Sequence, residues 1–227
     1  MASTTLASSA TIENLDYLPG LEDVHTVGTP WWKRTMDVVG AVVGIVLLSP
    51  LLLVISLAVM LDSPGGPIYR QPRVGRGGKV FTCWKFRSMR RGADSQLADL
   101  MNSNQADGLI FKMAEDPRRT RVGKILRRTS LDELPQLWNV LRGDMSMVGP
   151  RPPTVSEVLR YDRRHLHRLA AQPGMTGLWQ VTLRSVRHDF GDMVELDTQY
   201  ARELSLKLDL KILLKTIPTV LGGKGSY

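Results

Sequence analysis

The most pronounced pattern in the sequence is a long apolar run near the N-terminus. The 24 residues 38–61 carry no charged side chain, and they are flanked by Lys33, Arg34 and Asp37 on one side and Asp62 on the other. A continuous helix of this length would measure about 36 Å, which exceeds a hydrocarbon core of roughly 30 Å. The run is therefore long enough to be a membrane segment.

Two features of the run argue against a simple crossing. Ser49-Pro50 lies near its middle, where proline bends or breaks a helix and leaves each half too short to span. Basic residues stand close to both ends, which assigns both ends to the cytoplasmic side. We therefore expect a re-entrant helix-break-helix hairpin in which Ser49 bonds a carbonyl that Pro50 frees. A kinked full span and a buried core helix are the alternatives.

After residue 62 the pattern changes to short apolar segments separated by turns. A Pro-Gly cluster ends the run, and a glycine turn at residues 75–79 leads into a predicted strand at 80–84. Residues 204–212 alternate leucines as a strand does, while their lysines recur every four residues as on a helix. We favour a helix in the membrane interface, with its lysines at the headgroups. Further helices are predicted at residues 94–104, 134–143 and 155–171.

These elements predict an α+β fold that is mainly helical. Residues 1–30 would form a polar, acidic and flexible tail, since they lack the positive start and apolar stretch of a secretory signal. Residues 31–62 would form the re-entrant membrane hairpin. Residues 63–227 would form a cytoplasmic domain with a small β element and interfacial amphipathic helices.

Charge and cysteine content limit the classes of partner and site that the chain can have. Residues 63–227 carry 28 basic and 16 acidic side chains, and a surface this basic suits nucleic acid, anionic headgroups or small phosphorylated substrates. Aromatic residues make up only 6% of the chain and are not interleaved with cations, which argues against nucleic acid. Cys83 is the only cysteine, so an intrachain disulfide and a cluster of several thiolates are both excluded.

The adjacent carboxylates Asp132 and Glu133 are the strongest candidates for chemistry. They follow a strongly basic run, and Pro135 suits only the first turn of a helix, so Asp132 is predicted to be its N-cap. The helix N-terminus and the neighbouring Arg127 and Arg128 would keep Asp132 ionised and attract phosphate. An aspartyl-phosphate nucleophile needs such an arrangement, with a divalent metal to offset like charges. Alternatively, Ser130 and Glu133 merely form a capping box.

Other cations suggest phosphate binding less specifically. The Gly-Pro-Arg-Pro sequence holds Arg151 between two prolines, either as a phosphate clamp or as a rigid turn with a solvated arginine. Lys85 and Arg87 would project from the same side of a strand, toward phosphate or toward water. Walker loops, Gly-x-Gly-x-x-Gly turns, zinc-protease helices and serine-hydrolase elbows are absent from the sequence.

Taken together, six ordered motifs resemble those of the monotopic phosphoglycosyl transferases, the bacterial sugar transferase family, in its minimal catalytic form. The resemblance extends from residue 32 to residue 221. The motifs are KRTMDVVGAVVGIVLLSPLLL, SPGGPIYRQPRVGRGGK, KFRSM, TSLDELPQLWNVLRGDMSMVGPRP, PGMTGLWQV and LDTQYARELSLKLDLKILLKT.

The resemblance implies a catalytic role for the carboxylate pair. Asp132 would attack the β-phosphate of a UDP-sugar, release UMP and pass the sugar phosphate to undecaprenyl phosphate. Glu133 would assist, and Mg²⁺ at Asp132 would balance the pyrophosphate charge. The expected substrate-binding residues are Arg151, Arg128, Lys85, Arg87, Arg184 and Asp197. The sequence departs from the family at Leu183, where relatives often have glycine, so the geometry around Arg184 is open.

The resemblance also implies a cellular setting. It places the protein in the bacterial cytoplasmic membrane, with the catalytic domain on the cytoplasmic face, at the first step of exopolysaccharide, capsule or O-antigen type glycan assembly. Membrane lipid is an expected partner, and a homodimer is left open. No residue identifies the sugar, for which glucose and galactose are guesses. Two alternatives remain: a membrane-tethered basic binding or scaffold protein without catalysis, and a phosphotransferase acting on lipids without a sugar.

Overall fold

The structure is a computed structural model that describes residues 20–93, 95–96, 100, 113, 115–183 and 189–221. The helix expected at residues 94–104 lies outside these residues apart from isolated positions. The helices are α1 Trp31–Asp62, α2 Arg121–Thr129, α3 Gln136–Arg142, α4 Val155–Val158, α5 Arg163–Leu166, α6 Leu178–Thr182, α7 Phe190–Glu203 and α8 Leu206–Leu221. The strands are β1 Ile68–Val74, β2 Val80–Phe86, β3 Ser146–Val148 and β4 Gly174–Thr176.

Within the described residues the fold is mainly helical with two small sheets, as expected. β1 and β2 form an antiparallel hairpin in which Ile68 pairs with Phe86. Its connection is the predicted glycine turn, where Gly77 and Gly78 adopt φ values of 63° and 82° that favour glycine. β3 and β4 pair in parallel. The strand predicted at residues 80–84 is confirmed and extends to Phe86.

The apolar run forms α1, which is long and apolar enough to cross a membrane. Only 11% of its most apolar stretch of 18 residues is buried. The alternative prediction, a buried core helix, is therefore wrong. Helical structure continues through Pro50, and the two separate helices that we expected are not distinguished. The Ser49 hydroxyl donates to the Val46 carbonyl at 2.8 Å, the carbonyl that an amide at position 50 would otherwise serve. That part of the prediction is confirmed.

Both ends of α1 are attached to the same body. Near the start, the Lys33 ammonium donates to the Asp209 carboxylate of α8 at 2.6 Å, and Asp37 accepts a hydrogen bond from the beginning of β3. At the end, Asp62 accepts from the Val122 amide of α2 at 2.9 Å. One flank of α1 therefore lies along the body, while most of its apolar side chains stay exposed.

The largest hydrophobic cluster joins β1, β3 and the C-terminal helices. Val74, Val148, Leu166 and Tyr200 are among its most buried members. The segment 20–30 packs onto this cluster through Val24, so part of the stretch expected to be a tail lies against the body. The packed part of the chain therefore begins before residue 31.

Two helix predictions at the C-terminal side have different outcomes. The single helix predicted at residues 155–171 is wrong: α4 and α5 are separate, and a 3-10 turn, His167–Ala170, follows. The helix restarts because Asp162 accepts a hydrogen bond from the His165 amide at 2.9 Å and so caps a new first turn. In the stretch 204–212 the residues from Leu206 onward are helical as favoured and belong to α8, residues 204–205 separate α7 from α8, and the strand alternative is wrong.

Candidate active site

A sharp turn between α2 and α3 presents the two adjacent carboxylates. Ser130 ends α2 in the left-handed conformation, with φ of 57°, and a 3-10 turn, Leu131–Glu133, follows. Asp132 was expected to be the N-cap of the next helix, but that position belongs to Pro135. The left-handed Ser130 reverses the chain early, so the carboxylates lie in the 3-10 turn. Ser130 also makes no capping hydrogen bond through its side chain there, against the capping-box alternative.

The two carboxylates have different partners. Glu133 accepts a hydrogen bond from the Lys85 ammonium at 2.7 Å, which links the turn to β2. Asp132 is only 7% exposed, and within the described part of the chain its carboxylate has no hydrogen bond or ion pair. A buried charge without a partner is costly, so Asp132 is the group in this site that is free to engage a ligand.

Burial and charge separate the pKa values of the pair. Burial raises the pKa of Asp132 to about 6, and the neighbouring negative charge of Glu133 adds to the rise against the pull of Lys85 and Arg127. Burial also pushes up the pKa of Glu133, but the positive charges of Lys85 and Arg151 outweigh it and lower that pKa to about 2. Both groups are therefore ionised near neutral pH, and Asp132 is the one that titrates close to it.

A cleft beside the carboxylates gathers cations from distant parts of the chain. It is narrow and partly open to solvent. The Arg151 side chain has no hydrogen bond or ion pair with any described residue, so its guanidinium is available to an anion. The residues lining the cleft are Arg73, Cys83, Lys85, Glu133, Gln136, Arg151, Pro152, Gly174, Met175 and Gln180.

Arg73 holds the loop that carries Arg151. It is 8% exposed and donates to the Pro152 carbonyl at 2.8 Å, while the Val74 amide donates to the Pro153 carbonyl at 2.9 Å. The loop is therefore fastened to β1 at the two prolines that follow Arg151. This arrangement supports the interpretation that Gly-Pro-Arg-Pro holds the Arg151 side chain in a defined position. It argues against the alternative of a rigid turn with a solvated arginine.

Four of the expected site residues meet at this site, namely Asp132, Glu133, Lys85 and Arg151. Arg128 does not, because it points from α2 into solvent. Its neighbour Arg127 is the residue of this pair whose charge acts on Asp132, and its guanidinium donates to the Ser88 hydroxyl at 3.0 Å. One residue further along a helix turns a side chain by about 100°, so the two arginines face different surroundings.

Arg87 leaves the cleft and closes the end of α1. Its guanidinium donates to the Ser63 carbonyl at 2.6 Å and to the Pro64 carbonyl at 3.1 Å. Those carbonyls follow the last turn of the helix, where backbone acceptors lack helical partners. The structure therefore gives Arg87 a role in positioning the membrane helix, and Lys85 and Arg87 are not brought together.

Asp197 and Arg184 also stand apart from the cleft residues. Asp197 is buried in α7 and accepts from Arg168 at 2.7 Å, and Arg168 in turn donates to the Tyr161 hydroxyl at 2.8 Å. Burial raises the pKa of Asp197 to about 6, although Arg168 opposes the rise. Asp197 is therefore part of a buried ion pair in the core. Arg184 lies outside the described residues.

Three cleft residues with polar side chains, a cation and two amides, were not predicted from the sequence. Arg73, Gln136 and Gln180 lie in motifs that were recognised, yet nothing in the sequence separates Arg73 from Arg70 on the same strand. The strand register supplies the difference, because residues three apart lie on opposite faces of a strand. Gln136 and Gln180 carry no charge and stand in apolar contexts, where core packing is the ordinary expectation.

The carboxylate pair fits a metal only if a substrate shares it. Among the described residues no group of three or more His, Cys, Asp or Glu side chains could hold a metal ion. Mg²⁺ keeps several waters and binds through one or two carboxylates together with substrate phosphates. Asp132 and Glu133 supply that smaller set, so the donors suit a magnesium ion that arrives with a phosphorylated substrate.

Comparison with known proteins decides the family. Residues 28–223 match the family model described as "Bacterial sugar transferase". The chain belongs to this bacterial sugar transferase family. The match covers α1, the carboxylate turn and the cleft, so the resemblance of the six motifs is confirmed.

Several curated sugar transferases are similar to this one. The galactosyl transferase CpsE of Streptococcus agalactiae is 47% identical over 195 residues, which are 86% of this chain and 43% of CpsE. The exopolysaccharide production protein ExoY of Sinorhizobium fredii is 42% identical over 201 residues, covering 86% of this chain and 88% of ExoY. A Caulobacter vibrioides protein named UDP-glucose:undecaprenyl-phosphate glucose-1-phosphate transferase is 42% identical over 205 residues, covering 86% and 72%.

The lengths of these sugar transferases differ from that of the chain. The chain spans less than half the length of CpsE but most of the length of ExoY.

Proposed function

We propose that the protein transfers a sugar 1-phosphate from a UDP-sugar to undecaprenyl phosphate, as the first step of a membrane-bound glycan assembly. The observation that carries the proposal is the unpartnered, buried and ionised Asp132 beside a cleft lined by Lys85, Arg73 and Arg151. Such a cleft attracts a diphosphate and presents one free carboxylate to it. The name of the Caulobacter relative supports the same donor and acceptor classes.

The reaction proceeds through two displacements at one phosphorus atom. An Asp132 oxygen attacks the β-phosphorus, the bond to the bridging oxygen breaks, and UMP leaves with that oxygen. A phosphosugar-aspartate remains. An oxygen of undecaprenyl phosphate then attacks the same phosphorus, the bond to Asp132 breaks, and the carboxylate is regenerated. The product is an undecaprenyl diphosphate-linked sugar.

The other cleft residues hold charge in place during these steps. The ion pair with Lys85 engages the Glu133 carboxylate, so that Asp132 is the carboxylate available as a nucleophile. Arg151 binds phosphate oxygens, and Arg73 fixes its loop. Mg²⁺ bound by Asp132, Glu133 and substrate phosphates would neutralise charge on the diphosphate.

The membrane course of α1 forms a second part of the proposal. Both ends of α1 are bonded to the same body, through Lys33 and Asp62, so we propose that the helix enters and leaves the membrane on the cytoplasmic face. The α8 surface has exposed Leu210 and Leu214 beside exposed lysines, which suits the membrane interface. The soluble donor and the lipid acceptor would then meet at one surface.

Cysteine labelling tests this topology. In a Cys83→Ala background, single cysteines at Trp31 and Ser63 should both react with an impermeant maleimide in inverted membrane vesicles and not in intact spheroplasts. Labelling of the two positions from opposite sides would instead establish the full span.

UMP release tests the reaction. Detergent-purified protein with Mg²⁺ and undecaprenyl phosphate should release UMP from at least one member of a UDP-sugar panel, and without acceptor a phosphosugar should be found on Asp132 by mass spectrometry. If folded protein releases UMP from no UDP-sugar, the transferase assignment fails and a binding or scaffold role takes its place.

The reaction should lose rate as the pH falls through about 6. Asp132 attacks as a carboxylate, and its raised pKa places protonation near that value, so kcat/KM should be constant above it and fall about tenfold per pH unit below it. Glu133, whose pKa is lowered to about 2, stays ionised throughout this range. A pH profile of UMP release in Glu133→Gln provides the control. Removing the negative charge of Glu133 should shift the acidic fall in kcat/KM to lower pH. If the fall stays at the same pH, a group other than Asp132 causes it.

Arg151 and Arg128 form a matched pair of variants. Arg151→Met should lower kcat/KM by roughly 10- to 150-fold, because a hydrogen bond to a charged phosphate contributes about 1.5–3 kcal/mol. Arg128→Met removes the same charge from an exposed position and should change kcat/KM less than about twofold at moderate salt. Equal losses in the two variants would show that only the overall positive charge matters.

A further inference from the structure

The side-chain amide oxygen of Gln180 is a buried hydrogen-bond acceptor to which no described group donates. Gln180 lies on α6 and lines the cleft with Glu133 and Arg151. Its Oε1 atom is shielded from solvent and has no hydrogen-bond partner among the described residues, while its Nε2 donates to the Met175 carbonyl at 3.5 Å. A buried acceptor left unpaired costs about 1–3 kcal/mol, so a donor from a bound ligand would remove a standing penalty.

Close backbone packing ties Gln180 to the Arg151 loop. The Gly149 amide donates to the Thr176 carbonyl at 2.8 Å, and the Gly174 amide donates to the Pro150 carbonyl at 2.8 Å. A Cβ atom at Gly149 would collide with the Gln172 carbonyl, so the two segments approach as closely as backbone allows. The cations of the cleft and the Gln180 acceptor are consequently held in one rigid arrangement.

The ligand group that satisfies this acceptor must be a donor. Ionised phosphate oxygens only accept hydrogen bonds, so the diphosphate that suits Arg73, Lys85 and Arg151 does not serve Gln180. The sugar does, because it is bonded directly to the β-phosphate and carries hydroxyl or amide N–H groups within a few ångströms of that phosphorus. The other donors on a UDP-sugar are the ribose hydroxyls and the uracil N3–H, and they lie farther from the β-phosphorus, on the other side of the α-phosphate.

We propose that Gln180 accepts a hydrogen bond from a hydroxyl or amide N–H of the donor sugar and thereby takes part in selecting that sugar. The inference rests on the proposed transferase function. Gln180, a neutral residue, would recognise the sugar, while the charged residues of the cleft bind the diphosphate. A site built around a buried acceptor discriminates against analogues that lack the matching donor.

Gln180→Met tests the role, since methionine keeps the length and volume of the side chain and removes the acceptor. Its kcat/KM for the preferred UDP-sugar should fall about tenfold, as the loss of one neutral hydrogen bond predicts, with UDP binding unchanged. In the wild type, deoxygenating one position of the sugar should cost a similar factor. In Gln180→Met the same deoxygenation should cost nothing further.

The control is Gln199→Met, which makes the same change on the exposed face of α7, where the Gln199 amide bonds Glu203. It should leave kcat/KM and sugar preference unchanged. Undiminished discrimination by Gln180→Met, or an equal loss of UDP affinity, would overturn the proposal and place the donor elsewhere.

The wild-type analogue series stands by itself if Gln180→Met does not fold. A series in which no deoxygenated sugar loses more than twofold would also overturn the proposal. These results differ from failure of the transferase function, in which the wild type releases no UMP from any UDP-sugar.

Discussion

Asp132→Asn should reduce UMP release by on the order of 10⁴-fold or more, because an amide cannot attack phosphorus and the neighbouring Glu133 carboxylate is paired with Lys85. The substitution preserves the shape of the side chain and removes a buried negative charge, so the protein should remain folded in the membrane. UMP release with the preferred UDP-sugar measures the loss. Mass spectrometry should find no phosphosugar adduct.

The paired carboxylate provides a comparison for this variant. Glu133→Gln keeps the nucleophile but breaks the ion pair with Lys85, so turnover should be severely slowed while a phosphosugar adduct on Asp132 still forms. Circular dichroism of both variants should match the wild type. Full activity in Asp132→Asn would remove the covalent mechanism from consideration.

Lys33→Met should lower the free energy of unfolding by about 3–5 kcal/mol, the usual cost of removing one partner from a buried ion pair. Lys33 and Asp209 are 1% and 0% exposed, and the Tyr200 hydroxyl also donates to Asp209 at 2.8 Å. The variant would leave the Asp209 carboxylate buried without its cation. The apparent Tm in nanodiscs should fall by roughly 10 °C.

A double variant separates the ion pair from the packing. Lys33→Met with Asp209→Leu removes both charges and should recover most of the lost stability, since a buried pair can be replaced by apolar side chains with little net cost. If the double variant is as unstable as the sum of the single variants, packing at these positions accounts for the loss. The same pair attaches the start of the membrane helix to α8, so the single variant should also be cut faster by protease near residue 31.

The sequence predicts best those features whose cause is local. The glycine turn before β2, the bond from Ser49 to the carbonyl freed by Pro50, and the helical course of α8 follow from neighbouring residues, and the structure agrees. The wrong predictions also have local causes, because a capping or turn residue overrides the helix that the sequence pattern predicts. Asp162 caps a new turn inside what periodicity predicts as one helix, and the left-handed Ser130 moves Asp132 from an N-cap into a 3-10 turn.

By itself the sequence determined the length of the apolar helix, the adjacency of Asp132 and Glu133, and the family motifs, because these are properties of neighbouring residues along the chain. Only the tertiary structure decided that Glu133 pairs with Lys85 while Asp132 stays free, and that of the two neighbouring arginines Arg127 acts on Asp132 while Arg128 faces solvent. Burial and pairing set these properties. Both depend on which distant segments pack together, as when Lys33 meets Asp209 across 176 positions of sequence.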